Sequence, residues 1–194
     1  MTERRTEILE AALGLFSKKG YHDTSMQDLG EALGLQRGSL YTHIRSKEEL
    51  LLAIVKRGAE EFLKALLPVE DMEAPAPERL REAMRRHIGV VARNLEAATV
   101  FFHEWRFLPE TARQDVLKDR DRYEGVFRSI LDDGIREGTL RPHDTRLSAT
   151  LALSAGNWLY QWYDPKGRLT ADEIADRFSN FILEGISRGR EGAA

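Results

Sequence analysis

"TSMQDLGEALGLQRGSLYTHIRSKEELL", residues 24–51, decides how this chain is read. Thr24 with Gln27 has the spacing of a capping box that opens a helix, and Met26, Leu29 and Leu33 supply its buried side. Gly34 stands where a tight turn needs a permissive backbone. A further helix starts near Gln36 and carries Leu40 and Ile44 inward at i, i+4; Ser46 with Glu49 then has the spacing of a second capping box, opening a long helix through Leu50, Leu51, Ile54 and Val55. Two short helices about a glycine turn have the proportions of a helix-turn-helix, with Gly30 and Gly34 giving minimal bulk where they cross. The outward face of the second helix is then Gln36, Arg37, Ser39, Thr42 and His43, with Tyr41 alongside.

No carboxylate occurs from Gln36 to Lys47, although the chain as a whole has a net charge of -3. Amides, hydroxyls and guanidinium groups at a helix N-terminus suit contacts to base edges and phosphates in a DNA major groove. The plain alternative is a solvated basic face. Charge elsewhere says less: residues 1–57 hold nine Lys and Arg against eight Asp and Glu, and the remainder 20 against 24. A pI near 6.0 is far from that of a dedicated nucleic-acid domain.

Upstream, Ile8, Ala11, Ala12, Leu15 and Phe16 fall on one face of a first helix that Gly20 can end, so three short elements feed one long helix. Downstream, the prolines of "LLPVEDMEAPAPERL" predict that the long helix stops near Leu67 and that another begins after Pro77. Further helices are expected over 78–95, 97–107, 110–137, 145–163 and 171–188, broken at Gly138 and at the "DPKG" of 164–167. Alternating apolar and polar runs are missing, so the predicted fold class is all-α.

The 194 residues, 42% of them hydrophobic, can fill a real core. With no cysteine, disulfides, thiolate metal sites and cysteine nucleophiles are excluded. The opening "MTERRTEILEAALGLF" does not read as a signal peptide, and no apolar run is long enough to span a membrane, which together predict a soluble cytoplasmic protein without a membrane partner.

The quoted stretch resembles the DNA-binding signature of TetR-family transcriptional regulators: a Thr opening the first helix of the pair, a Gly-hydrophobe-x-x-Gly turn, and a Leu-Tyr-x-His-aromatic-x-x-Lys-Glu run into the long helix. The resemblance covers about residues 4–55. Leu35-Gln36 stands where the family often has Val-Ser, and Ile44 where it usually has Phe. By position the resemblance implies that Thr24, Tyr41 and Lys47 anchor phosphates, that Gln36, Arg37, Ser39, Thr42 and His43 face the groove, and that Gly38 lets the backbone approach closely. It also implies a helix-turn-helix domain at 1–47, and a helical ligand-binding and dimerisation domain at 48–194.

Within the second domain, "FFHEWRFLPE" (101–110), "RDRYEGVFRSILDDGIREGTLR" (120–141) and "NWLYQWYDPKGRLTADEIADRF" (157–178) resemble the regulators of this family that sense acyl-coenzyme A thioesters. Trp105, Tyr123, Phe127, Trp158 and Trp162 can wall an apolar tunnel for an acyl chain. Arg106 can pair with a coenzyme A phosphate and Asn157 can orient the thioester or its amides. Against this stands a reading of these aromatics as core or interface packing and of Arg106 as an ion pair, for instance with Glu104.

Two apolar stripes containing small residues, Leu147, Leu151, Ser154 and Ala155, and Ile174, Phe178, Phe181, Ile182, Gly185 and Ile186, fit a four-helix homodimer interface. Enzyme readings fail. "HEWRF" has Phe107 where a zinc-protease helix needs its second histidine, and no phosphate-cradling glycine loop occurs, so no catalytic residue, metal or cofactor is expected. The expected partners are a palindromic double-stranded operator, a second copy of the chain and an acyl-coenzyme A effector. A repressor answering to other small molecules, such as aromatic cations, or to a protein partner stays open.

Overall fold

The computed structural model describes residues 3–186, the side chain of Arg37 excepted. It is all-α: α1 (Glu3–Lys19), α2 (Met26–Leu33), α3 (Arg37–Leu40), α4 (Lys47–Glu70), α5 (Ala76–Arg93), α6 (Leu95–Thr99), α7 (Glu110–Arg136), α8 (Thr145–Asn157), α9 (Leu159–Trp162) and α10 (Ala171–Ile186). The chain divides into two compact units, 1–61 with 94–119, and 62–93 with 120–194. Helices α4 and α7 each contribute to both.

In the first unit, α1 buries Ile8, Leu9, Ala12, Leu13 and Phe16, leaving Ala11 and Leu15 only half-buried. The buried stripe is therefore rotated towards Leu9 and Leu13, because α1 packs against α6 as well as α2. The box that opens α2 is Ser25 with Asp28, one residue later than the expected Thr24 with Gln27. Ser25 Oγ accepts from the Asp28 N–H and Asp28 accepts from the Ser25 N–H, while Thr24 is buried and donates its hydroxyl to the Gly20 carbonyl at 2.7 Å. Backbone hydrogen bonds to Ser25 and Lys19 as a partner hold the Asp28 carboxyl down at about 2.

The α2–α3 turn depends on its glycines. Gly34 has φ +63°, and a Cβ on Gly30 would lie 2.7 Å from the Leu35 carbonyl oxygen. Helix α3 is a single turn, continued by Leu40 accepting from the His43 and Ile44 N–H groups, which sets Leu40 and Ile44 into the core. At the start of α4 the second box is half formed. Ser46 Oγ accepts from the Glu49 N–H at 3.1 Å, but the Glu49 carboxylate takes the Arg45 N–H and the Arg5 guanidinium, pulling α1 onto α4.

Helix α4 runs to Glu70, past the stop expected near Leu67: Pro68 falls in its last turn and costs one i→i−4 hydrogen bond there, and buried Val69 anchors that turn. The helix expected over 97–107 is instead three pieces. Asn94 caps the Ala97 N–H to begin α6 at Leu95, then come a π turn, Val100–Glu104, and a 3-10 turn, Trp105–Phe107. Tertiary contacts accompany the break. Phe101 lies so near Gly58 that a Cβ there would sit 2.9 Å from its ring, Glu104 accepts the Tyr21 N–H at 3.1 Å, and Phe107 meets the His22 ring edge-on at 4.1 Å.

In the second unit α10 packs along α5 and α8, and α5 supplies Leu80, Met84, Ile88 and Val91 to the core. Arg79 pairs with Asp133 at 2.7 Å, joining α5 to α7. Gly138, at φ +74°, ends the α7 region, with the Thr139 and Leu140 N–H groups both reaching the Gly134 carbonyl. The helix expected over 145–163 breaks at Trp158 into α8 and α9. The 164–167 turn is closed by Gly167 donating to Asp164 at 2.8 Å. Of the helix expected over 171–188, the last two residues lie outside the described residues.

Candidate nucleic-acid interface and effector residues

The head is organised by a lysine that faces inward. Lys47 Nζ donates to the carbonyls of Tyr21 at 2.6 Å, Thr24 at 2.7 Å and His22 at 3.3 Å, and lies 4.3 Å from the Tyr21 ring centroid. Burial lowers its pKa, with Asp23 and Asp28 opposing. An ammonium has three N–H donors, and all three are directed at the α1–α2 turn. The Thr24 hydroxyl is likewise spent on Gly20. Of the three residues expected to anchor phosphates, Thr24 and Lys47 fix the turn, and Tyr41 is exposed.

Gln36, Ser39 and Thr42 are exposed beside Tyr41, while His43 is half-buried and its carbonyl accepts from Arg5. Thr42 Oγ1 donates to the Ser39 carbonyl at 2.7 Å, leaving its lone pairs outward. The side chain of Arg37 is outside the described residues. A Cβ at Gly38 would meet no protein atom within 4 Å, so nothing inside the chain demands glycine there. This surface can donate and accept hydrogen bonds and has no carboxylate to repel an anion.

The candidate effector residues fall into different units. Trp105, half-buried, and Arg106, exposed, belong to the first, where Glu104 is buried against Tyr21 and not paired with Arg106. In the second unit Tyr123 and Phe127 are buried with ring centroids 5.9 Å apart. Asn157 is half-buried in the last turn of α8. Trp158 and Trp162 are not walls of an enclosed tunnel within this unit: with Leu147, Leu151 and Phe181 they are 48–74% exposed. Trp162 packs on Phe178 and borders an open groove of about 220 Å³ with Arg168 and Leu169. Along α10, Ile174 turns into the core, so the outward stripe there is carried by Phe181, with Phe178 and Ile182 half-buried.

Sequence spacing missed one group. His87 is 1% exposed, and its Nδ1 lies 3.0 Å from the Tyr123 hydroxyl. Its sequence neighbours are ordinary for an amphipathic helix, and Tyr123 is 36 positions away, so no local signal joins them. Among the described residues no cluster of three His, Asp or Glu could hold a metal ion, and no helix is long and apolar enough to cross a membrane.

A one-turn recognition helix set on a buttressed α2, with an all-helical second unit, defines a helix-turn-helix DNA-binding regulator. Residues 8–54 match the family model for bacterial regulatory proteins of the tetR family, and residues 73–186 the model for a tetracyclin repressor-like C-terminal domain. The chain belongs to the TetR family of transcriptional regulators, proteins that bind DNA and are not enzymes. It is 35% identical to the regulator PfmR of Thermus thermophilus, covering 93% of this chain and 99% of that one, with a TM-score of 0.84. AibR, solved with isovaleryl coenzyme A and operator DNA, is 32% identical over 93% of this chain and 98% of its own, also at TM-score 0.84. The HTH-type transcriptional repressor KstR2 of Mycobacterium tuberculosis is 25% identical over 97% of this chain and 95% of its own length.

Proposed function

We propose that the protein is a cytoplasmic repressor that binds a near-palindromic operator as a homodimer and leaves it when an acyl-coenzyme A thioester binds. The observation that carries the DNA-binding half is the exposed, carboxylate-free face of Gln36, Ser39, Tyr41 and Thr42, held in place by the inward Lys47. The homodimer is supported by the apolar side chains left in water on the second unit. Leu147, Leu151 and Trp158 from α8 and its end, and Phe181 from α10, are what a second copy would cover.

The thioester reading is supported by AibR, whose complex holds isovaleryl coenzyme A together with operator DNA. Exposed Arg106 offers the planar fork for a coenzyme A phosphate. A hundredfold loss of operator affinity needs about 2.7 kcal/mol of differential effector affinity, and by reciprocity operator weakens effector binding by the same factor. The test is an operator gel shift with graded acyl-coenzyme A from branched short-chain to aromatic and long-chain. Release at micromolar thioester, with free coenzyme A and free acids weaker, is expected. No release by any thioester well above that range would remove the acyl-coenzyme A assignment and leave the DNA-binding part standing.

A further inference from the structure

Inside the second unit, α5 and α7 bring one histidine and one tyrosine together away from water, under the last turn of α8. The Phe62 ring lies 5.4 Å from His87 and 5.8 Å from Tyr123, and Phe127 lies 6.3 Å and 5.9 Å from the same two rings. His87 Nε2 is buried and meets no hydrogen-bonding partner. A Cβ on Gly156 would sit 2.6 Å from that nitrogen, so Nε2 occupies the room that the glycine leaves.

Burial lowers the His87 pKa to about 4 and raises that of Tyr123, so both groups are neutral near pH 7. A neutral imidazole has one donor nitrogen and one acceptor. If Nδ1 carried the proton, both the phenol hydrogen and the Nε2 lone pair would lack partners. If Tyr123 donates to Nδ1, only the Nε2–H is unmatched, and that arrangement leaves fewer buried polar groups unsatisfied. A phenylalanine at 87 would fill an apolar core with no such penalty.

We infer that the His87–Tyr123 pair is the polar anchor of an effector site within the second unit, and that the effector carries a neutral carbonyl oxygen on an apolar body to accept from Nε2–H. This rests on the ligand-responsive part of the function proposed above, but not on coenzyme A. The aromatic surroundings suit a ring or branched hydrocarbon. A carboxylate or ammonium would lose its water among these aromatic rings at a large cost, which favours a neutral group. Gly156 closes over Nε2, two residues before the α8–α9 break at Trp158, so an effector reaches Nε2 only when that turn moves aside.

The experiment compares 1-indanone with indane, one carbonyl apart, on the full chain, by calorimetry and by ¹⁵N NMR of the histidine side chains. The ketone is expected to bind about tenfold more tightly and to shift the His87 Nε2 resonance. In His87→Phe the preference falls below twofold. Tyr123→Phe, which removes one oxygen and leaves the packing, no longer fixes the proton on Nε2 and narrows the preference while indane affinity holds. Equal affinities in the wild type, binding of neither compound, or a preference kept in both variants would overturn the assignment. Thioester gel shifts run in parallel separate the two readings. Ketone preference without thioester release leaves the anchor and removes coenzyme A; thioester release without ketone preference removes the anchor alone.

Discussion

Lys47 and Tyr21 are joined twice: the ammonium donates to the Tyr21 carbonyl at 2.6 Å and lies 4.3 Å from the ring of the same residue. The position that the family signature gives to a phosphate contact is thus filled by a clamp on the α1–α2 turn. Lys47→Met is expected to lower unfolding stability by about 2 kcal/mol, through lost charge-assisted bonds and cation–π contact, measured by urea titration. Operator affinity measured well below the unfolding midpoint should fall as well, since α2 and α3 lose their footing. Unchanged stability would show that the clamp contributes nothing.

Two glycines should separate folding from DNA binding. Gly38→Ala places its methyl in open space and should leave stability unchanged or raise it by up to about 1 kcal/mol, while weakening operator binding about tenfold or more. Gly30→Ala drives a methyl to 2.7 Å from the Leu35 carbonyl and should destabilise the turn itself. Thermal melts and gel shifts on both variants check the contrast.

Phe181→Glu changes one of the most exposed large apolar residues, so the isolated chain should fold with normal helicity. Sedimentation is expected to show a dimer for the wild type and a monomer for the variant, and operator affinity should collapse to that of a single half-site. A dimeric Phe181→Glu protein would place the interface elsewhere.

His87 gives a pH signature of known sign. Its folded pKa is depressed to about 4 from 6.5, so below pH 6.5 the unfolded chain takes up a proton that the folded chain refuses. Stability attributable to this group is full above 6.5 and falls by about 1.4 kcal/mol per pH unit towards 4, roughly 3 kcal/mol in all. Urea titrations at pH 7, 6 and 5 on wild type and His87→Phe isolate it, since the carboxylates common to both cancel. Parallel pH curves for the two proteins would contradict the burial.

What was legible in the sequence is what local spacing controls. Gly34, the Leu29, Leu40 and Ile44 core positions and the breaks at Gly138 and 164–167 all stand where they were expected. The α2 box slipped by one because Thr24-Ser25 offers two adjacent hydroxyls and Gln27-Asp28 two adjacent acceptors, and burial of Thr24 chooses between them. The π and 3-10 turns over 100–107 answer to Gly58 and Tyr21, more than 40 residues away, and leave no periodic trace. Trp158 and Trp162 show the limit most plainly, since helical spacing is identical for a residue facing a cavity and one facing water.

The bond from the Tyr21 N–H to Glu104, with Phe107 against His22, means that the DNA-reading head is completed by chain some eighty residues downstream. It is not a detachable N-terminal cassette. A chimera that grafts residues 1–61 onto a relative's body brings a turn whose amide has lost its acceptor and whose aromatic cover is foreign. An exchange of operator specificity between family members should therefore transplant residues 94–107 along with the head, or restrict itself to the outward side chains of α3.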